Sequence, residues 1–383
     1  MARALYIHWP FCLAKCPYCD FNSHVRDNVD HATWEAALLA DLRYEAGLAA
    51  GEPLDSIFFG GGTPSLMPPA LVGRLLAEAE KLWGFAPGIE ITLEGNPSSV
   101  EAANYADLAA AGVNRASLGL QALDDQTLQF LGRLHDAQEG LKAVETAQQV
   151  FNRVSIDLIY ARPNQSVAEW HSELAKAIGL GTTHLSLYQL TIEPGTRFET
   201  LVRKGEFAPL DDDACADLFT LTREATAAAN LPAYEISNHA RPGEESRHNL
   251  TYWRYQDYVG IGPGAHGRRK GEATVRHKKP ENWLGAVAAK GNGIAESHPL
   301  GRKEQAAEAM LMGLRLREGI DLTAMARRFE LDEAALLDPA KAKLYRQQGL
   351  VWRDGDQVGV TEAGMPLLDA LLGELVPAEL VEA

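Results

Sequence analysis

The chain has 383 residues, of which 46% are hydrophobic and 23% are charged, as in an ordinary globular protein. This length fits one large domain plus a smaller one. The formal net charge of −16 disfavours general nucleic acid binding, because an acidic chain repels phosphate. The N-terminus lacks the pattern of a signal peptide, and no run of about 18 apolar residues occurs, so we expect a cytoplasmic protein without a transmembrane helix.

Short strand-like runs alternate with helical runs over the first two-thirds of the chain. The alternation predicts βα units, a parallel sheet and a partial (β/α)6-type TIM barrel, with functional residues at the carboxyl ends of the strands. The predicted strands cover residues 4–9, 56–59, 90–93, 115–120, 154–160, 184–190 and 233–237. The predicted helices cover residues 33–48, a segment after Pro68, and residues 100–111, 138–150, 167–180 and 212–228.

The predicted domains are a barrel core over residues 1–240, a connecting segment over 241–298 and a small α+β, winged-helix-like domain over 299–383. In the last of these, a helix over 304–317 and a hairpin over 351–361 are expected. Basic residues crowd between positions 268 and 279. We interpret them as a solvated hairpin, with a docking surface for carboxylates as the alternative. This basic cluster comprises Arg268, Arg269, Lys270, Arg276, Lys278 and Lys279.

Three cysteines, Cys12, Cys16 and Cys19, lie within eight residues directly after the first predicted strand. Three thiolates can bind three irons of a [4Fe–4S] cluster and leave the fourth iron open to a substrate. The alternatives are a zinc site completed by His8 or His24, and three inert buried thiols. Zinc ribbons usually pair two CxxC arms, and the sequence has no second arm. The isolated Cys215 is interpreted as a small buried hydrophobe.

The CxxxCxxC spacing, with Tyr18 between the last two cysteines, resembles the cysteine motif of the radical S-adenosylmethionine (SAM) superfamily. The segment Gly60–Pro64 (GGGTP) is similar to the glycine motif of that superfamily, in which glycines permit close backbone approach to the cofactor. Alone, this segment could be an ordinary strand-to-helix turn. The resemblance implies a [4Fe–4S] cluster and bound S-adenosylmethionine.

Seven further segments resemble the family of oxygen-independent coproporphyrinogen III oxidases and HemW-type heme chaperones: YIHWPFC, FFGGGTPSL, LEGNP, SLGLQALDD, LGRLHD, SIDLIYARPNQ and GIGPGAHG. By this resemblance a first S-adenosylmethionine contacts Tyr6, Gly61, Gly62, Thr63 and Glu94, with Gln189 and His266 contributing backbone atoms. A second one contacts Gln121, Arg133 and Asp157, and Tyr18 also belongs to the cofactor site. From the residues alone, Asp157 could instead cap a helix or pair with an arginine, and Gln121 could bond strand-end backbone.

Two departures from the oxidase pattern favour the chaperones. Position 21 is Phe21, where the oxidases have a further cysteine. The segment HNLTYW, from His248 to Trp253, is similar to an HNxxYW motif that marks HemW and is linked to heme binding. Imidazole is a common axial ligand of heme iron, and Tyr252 and Trp253 could flank a porphyrin. His248 is therefore the candidate heme ligand. The alternatives are an ordinary aromatic loop and a motif that orders a pocket without binding iron.

The resemblance implies a heme chaperone that passes heme to apo-hemoproteins, including those of the respiratory chain. The expected cofactors are the cluster, S-adenosylmethionine and heme. A monomer or a homodimer and peripheral membrane contact are both compatible with the sequence. The alternative function is oxidative decarboxylation of coproporphyrinogen III. A third is another radical transformation on an unrelated substrate.

Overall fold

The computed structural model describes residues 2–26, 28–49 and 51–381. Its strands are β1 (Ala4–Trp9), β2 (Phe11–Cys12), β3 (His24–Val25), β4 (Leu54–Gly61), β5 (Phe85–Gly95), β6 (Arg115–Gln121), β7 (Arg153–Tyr160), β8 (His184–Gln189), β9 (Asn238–Ala240), β10 (Tyr258–Ile261), β11 (His266–Arg269), β12 (Glu272–Arg276), β13 (Ile294–Pro299), β14 (Ile320–Asp321), β15 (Val351–Asp354) and β16 (Gln357–Val360).

The helices follow the strands in the βα order that the sequence predicts. They are α1 (His31–Ala49), α2 (Pro69–Trp83), α3 (Ser99–Ala102), α4 (Tyr105–Ala110), α5 (Asp125–Phe130), α6 (Ala137–Val150), α7 (Val167–Gly179), α8 (Arg197–Arg203), α9 (Asp212–Ala228), α10 (Arg247–Trp253), α11 (Pro280–Lys290), α12 (Arg302–Gly313), α13 (Leu322–Phe329), α14 (Glu333–Leu336), α15 (Pro339–Gln347), α16 (Leu368–Leu375) and α17 (Ala378–Val381). Within the described ranges, none is long and apolar enough to cross a membrane.

A parallel run of six strands, β1-β4-β5-β6-β7-β8, forms the centre of an eleven-stranded sheet and keeps the order of the chain. The sheet is open: β9 flanks β8 at one edge, and β10 to β13 extend it beyond β1. The prediction of a partial (β/α)6-type core is confirmed. Because parallel strands end at the same edge, the loops after β1, β4, β5 and β6 lie side by side.

The predicted seventh strand, residues 233–237, is wrong. Only Ala233 makes an isolated bridge, to His239, and the strand itself begins at Asn238 and runs antiparallel to β8. The physical reason lies in Glu235, whose carboxylate accepts the backbone N–H of Ser237 at 2.8 Å. This local bond turns the backbone where the alternating pattern of side chains indicated an extended strand.

The arginines of the basic cluster are buried, so the interpretation of this cluster as a solvated hairpin is also wrong. Arg276 is fully buried and binds Asp41 (2.7 Å) and Glu45 (2.8 Å) of α1, and Arg269 binds Glu45 at 2.7 Å. These ion pairs fix β11 and β12 against α1, since a buried charge must be paired to be tolerated. Only the lysines of the cluster lie at the surface.

A second hydrophobic core follows the sheet and is built from α12 to α17 and the small sheet β14-β16-β15. The predicted helix over 304–317 corresponds to α12. The predicted hairpin corresponds to β15 and β16, which turn at Gly355, where φ is +58°. Helices followed by a small hairpin agree with the predicted winged-helix-like architecture. Tyr255, next to α10, packs into this second core, so the segment after α10 touches both cores.

Candidate functional site

The three predicted cluster cysteines line one cavity of about 350 Å³ at the carboxyl end of the parallel strands. Cys12 ends β2, and Cys16 and Cys19 lie on the loop that follows. Each sulfur atom has a polar neighbour. The Thr63 hydroxyl donates to Cys12 Sγ at 3.4 Å, Arg133 Nη1 donates to Cys16 Sγ at 3.4 Å, and Cys19 Sγ lies 3.7 Å from a serine hydroxyl. We call this space the cysteine cavity.

The donor set suits an iron–sulfur cluster. All three thiols are free of disulfides, and burial raises the pKa of Cys12 and of Cys19, so neither thiol ionises easily until a metal displaces its proton. Hydrogen bonds to the sulfur atoms are the usual means of stabilising cluster thiolates. Among the described residues, no three ligand side chains converge on a single ion. A cubane does not require such convergence, because each thiolate binds a different iron.

The histidines considered as fourth ligands of a zinc site are engaged elsewhere. His8 Nε2 donates to the carbonyl oxygen of Asn22 at 2.9 Å, and its Nδ1 therefore accepts from the Tyr6 hydroxyl at 3.0 Å. His24 Nε2 donates to the side-chain oxygen of Asn22 at 3.3 Å. Neither ring is aimed at the thiols, which weighs against the zinc alternative.

The glycine turn after β4 forms one wall of the cysteine cavity. Gly61 has φ of +113°, and a Cβ atom there would lie 2.5 Å from the ring of His8. A Cβ atom at Gly62 would lie 2.7 Å from the carbonyl oxygen of Phe11. Both positions therefore require glycine for steric reasons. The Gly61 amide donates to Glu94 Oε2 at 3.1 Å, which joins the turn to the end of β5.

Two carboxyl groups line the cavity from β5 and β7, the strands on either side of β6. Burial, and next the charge of Asp157, raise the pKa of Glu94 to about 8. Burial also raises the pKa of Asp157 to about 6, although Ser117 donates to it at 3.3 Å. A cationic ligand would stabilise the ionised form of both carboxyls. S-adenosylmethionine carries a sulfonium and an ammonium group and has the charge that such a wall accommodates.

Arg133 also lines the cysteine cavity, together with Tyr18 and Gln121. Its Nη2 donates to the carbonyl oxygen of Gly119 at 2.8 Å and to the side chain of Asn96, while its Nε has no hydrogen-bond partner in the described chain. A buried donor without a partner favours an anionic ligand such as a carboxylate. The residues predicted to bind a second S-adenosylmethionine, Gln121, Arg133 and Asp157, are thus brought together.

A second cavity of about 700 Å³ adjoins the first, and Gly61 and Glu94 line both. We call it the aromatic cavity, because Tyr6, Phe21, Tyr252 and Tyr258 contribute to its wall. Of the predicted first-cofactor residues, Tyr6 and His266 lie here. Gln189 lines neither cavity, and its Nε2 donates to the backbone of Cys215 at 2.7 Å instead. Sequence reasoning did not single out Tyr258 or Met312, which also line the aromatic cavity, as does Arg268 of the basic cluster.

His248 lies behind the aromatic cavity. Its side chain is 1% exposed, Nδ1 is hydrogen-bonded to Ser56 at 3.1 Å, and Nε2 is hydrogen-bonded to the hydroxyl of Tyr252. The ring also stacks on Phe58, with centroids 4.9 Å apart. To bind heme iron directly, as the sequence predicts, His248 would have to give up one of these bonds and leave the core.

The helix that carries His248 is fixed to the sheet through a buried carboxylate. Glu90 of β5 accepts the backbone amides of Arg247 (3.2 Å) and His248 (3.1 Å), and Arg153 pairs with the same carboxylate at 2.6 Å. Because these bonds satisfy free amides of the first turn, α10 has a fixed position. Tyr252, one turn later, is thereby placed against the aromatic cavity.

Comparison with known proteins agrees with this geometry. A family model described as the Radical SAM superfamily matches residues 6–176, and one described as the HemN C-terminal domain matches residues 300–367. Heme chaperone HemW of Escherichia coli is 44% identical over 69% of this chain and 70% of its own length. HemW of Haemophilus influenzae is 36% identical over 96% of both chains. The mitochondrial radical S-adenosyl methionine domain-containing protein 1 of Bos taurus is 37% identical, over 97% of this chain and 87% of its own.

Among solved structures, coproporphyrinogen III oxidase (HemN) from Escherichia coli superposes with a TM-score of 0.82 over 97% of this chain and 89% of its own. At 21% sequence identity this likeness establishes the fold. Fold and cysteine cavity together define a radical SAM protein, a class that implies a [4Fe–4S] cluster and S-adenosylmethionine. Within that class, the chain belongs to the oxygen-independent coproporphyrinogen oxidase-like family that includes the HemW heme chaperones.

Proposed function

We propose that the protein is a heme chaperone, which binds heme next to a [4Fe–4S] cluster and transfers it to apo-hemoproteins. The observation that carries the proposal is the pair of adjoining cavities. One is lined by three hydrogen-bonded thiols, and the other by aromatic rings, histidines and cations, with Gly61 and Glu94 between them. A thiolate set and a separate amphiphilic site are what a cluster protein with a porphyrin cargo needs.

Cys12, Cys16 and Cys19 hold the cluster in this proposal, and S-adenosylmethionine binds at its open iron. The cluster supplies an electron for reductive cleavage of the cofactor when both are bound. The chain's own residues orient the cofactor: the backbone of the glycine turn approaches it closely, and Glu94 accepts hydrogen bonds from its ammonium or ribose. Tyr6, Thr63 and the backbone of His266 complete this first site. Gln189 is left out, because it lines neither cavity.

A second S-adenosylmethionine binds beside Arg133 in this proposal. The Nε of Arg133, which has no partner among the described residues, can donate to the carboxylate of this cofactor. Tyr18, Gln121 and Asp157 line the same cavity and can interact with its cationic groups. Whether this second site is occupied bears on the choice between a chaperone and an oxidase. A chaperone that only binds heme and passes it on needs no radical decarboxylation. An oxidase that removes two carboxylates needs two radical events.

The test combines three measurements on one anaerobically reconstituted sample: heme binding by absorption, cleavage of S-adenosylmethionine, and transfer of heme to the apo form of a b-type respiratory hemoprotein. Transfer should be faster than from free heme at the same concentration, and a Cys16→Ala variant should impair it. Conversion of coproporphyrinogen III to protoporphyrinogen would overturn the chaperone assignment in favour of the oxidase. A failure to bind heme would favour another radical reaction. Cytoplasmic location and a monomeric or dimeric state stay predictions.

A further inference from the structure

The aromatic cavity contains a buried cation with an unused donor. Arg268 is 6% exposed, and its guanidinium lies 3.6 Å from the ring centre of Tyr255. Nη2 donates to the carbonyl oxygen of Gln256 at 3.0 Å, and Nη1 lies 3.9 Å from Glu308. Nε has no hydrogen-bond partner within the described residues. Arg268 lines the cavity, and a buried guanidinium with an unused donor favours a carboxylate ligand, because leaving the donor without a partner costs free energy.

The same cavity offers a further cation. Lys278 is exposed, lies on the segment that follows β12, and lines the cavity on the side of Phe21 and His24. A ligand with more than one carboxylate and a large apolar body fits a wall that combines Arg268 and Lys278 with tyrosine and phenylalanine rings. The volume of about 700 Å³ lies within the range of cofactor sites.

One imidazole in the cavity is free to bind a metal ion. The rings of His8 and His24 are hydrogen-bonded to Asn22, as described above. His266, the first residue of β11, is exposed to the cavity, and its ring makes no hydrogen bond in the described chain. Burial, and next the charge of Lys278, lower the pKa of His266, so its ring is neutral and has a lone pair available near pH 7.

We infer that heme binds in the aromatic cavity with a propionate on Arg268 and Lys278 and with its iron on the imidazole of His266. This inference rests on the proposed heme-binding function and assigns its residues. His248 is then a positioning residue: from the core it holds the Tyr252 hydroxyl and so fixes an aromatic wall of the site. Its two hydrogen bonds, to Ser56 and Tyr252, are the contacts that make this role possible.

The aromatic cavity brings together the HNxxYW segment, strand β11 and a helix of the second core. Met312, on α12 of the second core, lines the cavity together with Tyr252 and His266. Heme in this cavity would therefore touch both cores, and its binding would couple them. Only the ring of His266 is assigned to iron, so its backbone stays available to the cofactor.

The experiment titrates the anaerobically reconstituted, full-length protein with ferric heme and, separately, with metal-free protoporphyrin IX. The variants are His266→Ala, His248→Ala, His248→Gln, Arg268→Lys and Lys278→Gln, with the exposed His298→Ala as the matched control. Iron content and circular dichroism establish that each variant is folded. Difference absorption spectra and the ferric-heme electron paramagnetic resonance signal report the axial ligand.

His266→Ala should remove the imidazole-ligated spectrum and weaken heme binding at least tenfold, while protoporphyrin binding changes little. Lys278→Gln and Arg268→Lys should weaken both porphyrins about tenfold and leave the spectrum of bound heme unchanged. His248→Gln, which can still bond Tyr252, should restore the affinity lost in His248→Ala without altering the spectrum.

The opposite pattern would overturn the inference. Loss of the imidazole signal in both His248 variants, with an unchanged signal in His266→Ala, would make His248 the iron ligand. Equal affinity of the wild type and of the two cation variants for protoporphyrin would remove the propionate assignment. If the wild-type protein binds no heme at all, the proposed function itself fails, and this inference fails with it.

Discussion

Replacing Glu94 with glutamine should stabilise the cluster-free protein, and the gain should grow with pH. Burial and the neighbouring Asp157 raise the pKa of Glu94 from its ordinary 4.5 to about 8. Between these two values the folded chain keeps a proton that the unfolded chain has released. Stability from this group is therefore greatest below pH 4.5 and is lost as the pH rises to about 8.

The magnitude follows from the width of that interval. Each pH unit between the unfolded and the folded pKa is worth about 1.4 kcal/mol, so the whole interval sets an upper limit of about 5 kcal/mol. Glutamine carries no charge, and its side-chain oxygen can still accept the Gly61 amide hydrogen bond that Glu94 accepts at 3.1 Å. The difference between variant and wild type should be small at pH 5 and level off above pH 8, at several kcal/mol.

The assay is urea unfolding of the cluster-free protein at half-unit steps between pH 5 and pH 9, followed by circular dichroism. Glu296→Gln, on the exposed strand β13, is the matched control and should show no such trend. S-adenosylmethionine should reverse the effect on cluster-loaded protein, because a cation at Glu94 favours the ionised carboxylate. A difference between Glu94→Gln and wild type that did not change with pH would refute the reasoning.

Three other outcomes are expected. Anaerobic reconstitution should give the wild type about four irons per chain. Cys16→Ala should lose most of this iron, whereas Cys215→Ala should keep it. Iron analysis and absorption measure the difference, and equal iron in both variants would remove the cluster assignment. Thr63→Val removes the donor to Cys12 Sγ and should make the reduction potential of the cluster more negative. A redox titration that found no change would show that this hydrogen bond does not affect the potential. Arg276→Met leaves Asp41 buried without a cation, while Glu45 keeps its ion pair with Arg269, and should cost about 3–5 kcal/mol in denaturant unfolding. Arg74→Gln, in an exposed pair with Glu35, should leave stability nearly unchanged.

The parallel core and the edge that carries the cysteine cavity could be predicted because their signals are local. Strands β1, β6 and β7 are six to eight residues long and mostly buried on both faces, and the helices between the strands supply the alternation. The cysteine motif is local as well, since all three thiols lie on one loop. The expectation that Glu94 and Gln121 lie near them needed only the rule that parallel strands end at one edge.

The basic cluster could not be interpreted correctly from its own segment. Arg276 binds Asp41, which lies 235 positions earlier in the chain, and no local pattern indicates that pairing. Six basic residues within twelve positions resemble a solvated surface. Only the packing of β12 against α1 removes the arginines from water and supplies their partners.

His248 illustrates a different limit. The HNxxYW pattern includes one residue of the aromatic cavity, since Tyr252 lines it. It did not give the direction of the histidine ring. That direction depends on Ser56, in a strand 192 positions away, and on the stacking against Phe58. A residue type can thus suggest a ligand while its ring is buried and hydrogen-bonded within the core.

Position 21, where the oxidases have a further cysteine, lies at the wall that the two cavities share. Phe21 is 63% exposed and lines both of them. A thiol there would add a metal ligand at the edge of the cysteine cavity, whereas a phenyl ring adds apolar surface between the two cavities. Exposed apolar surface is costly in the free protein and favours a ligand that covers it. Because His266 and Lys278 are exposed too, heme held there would keep an open side from which an acceptor could take it.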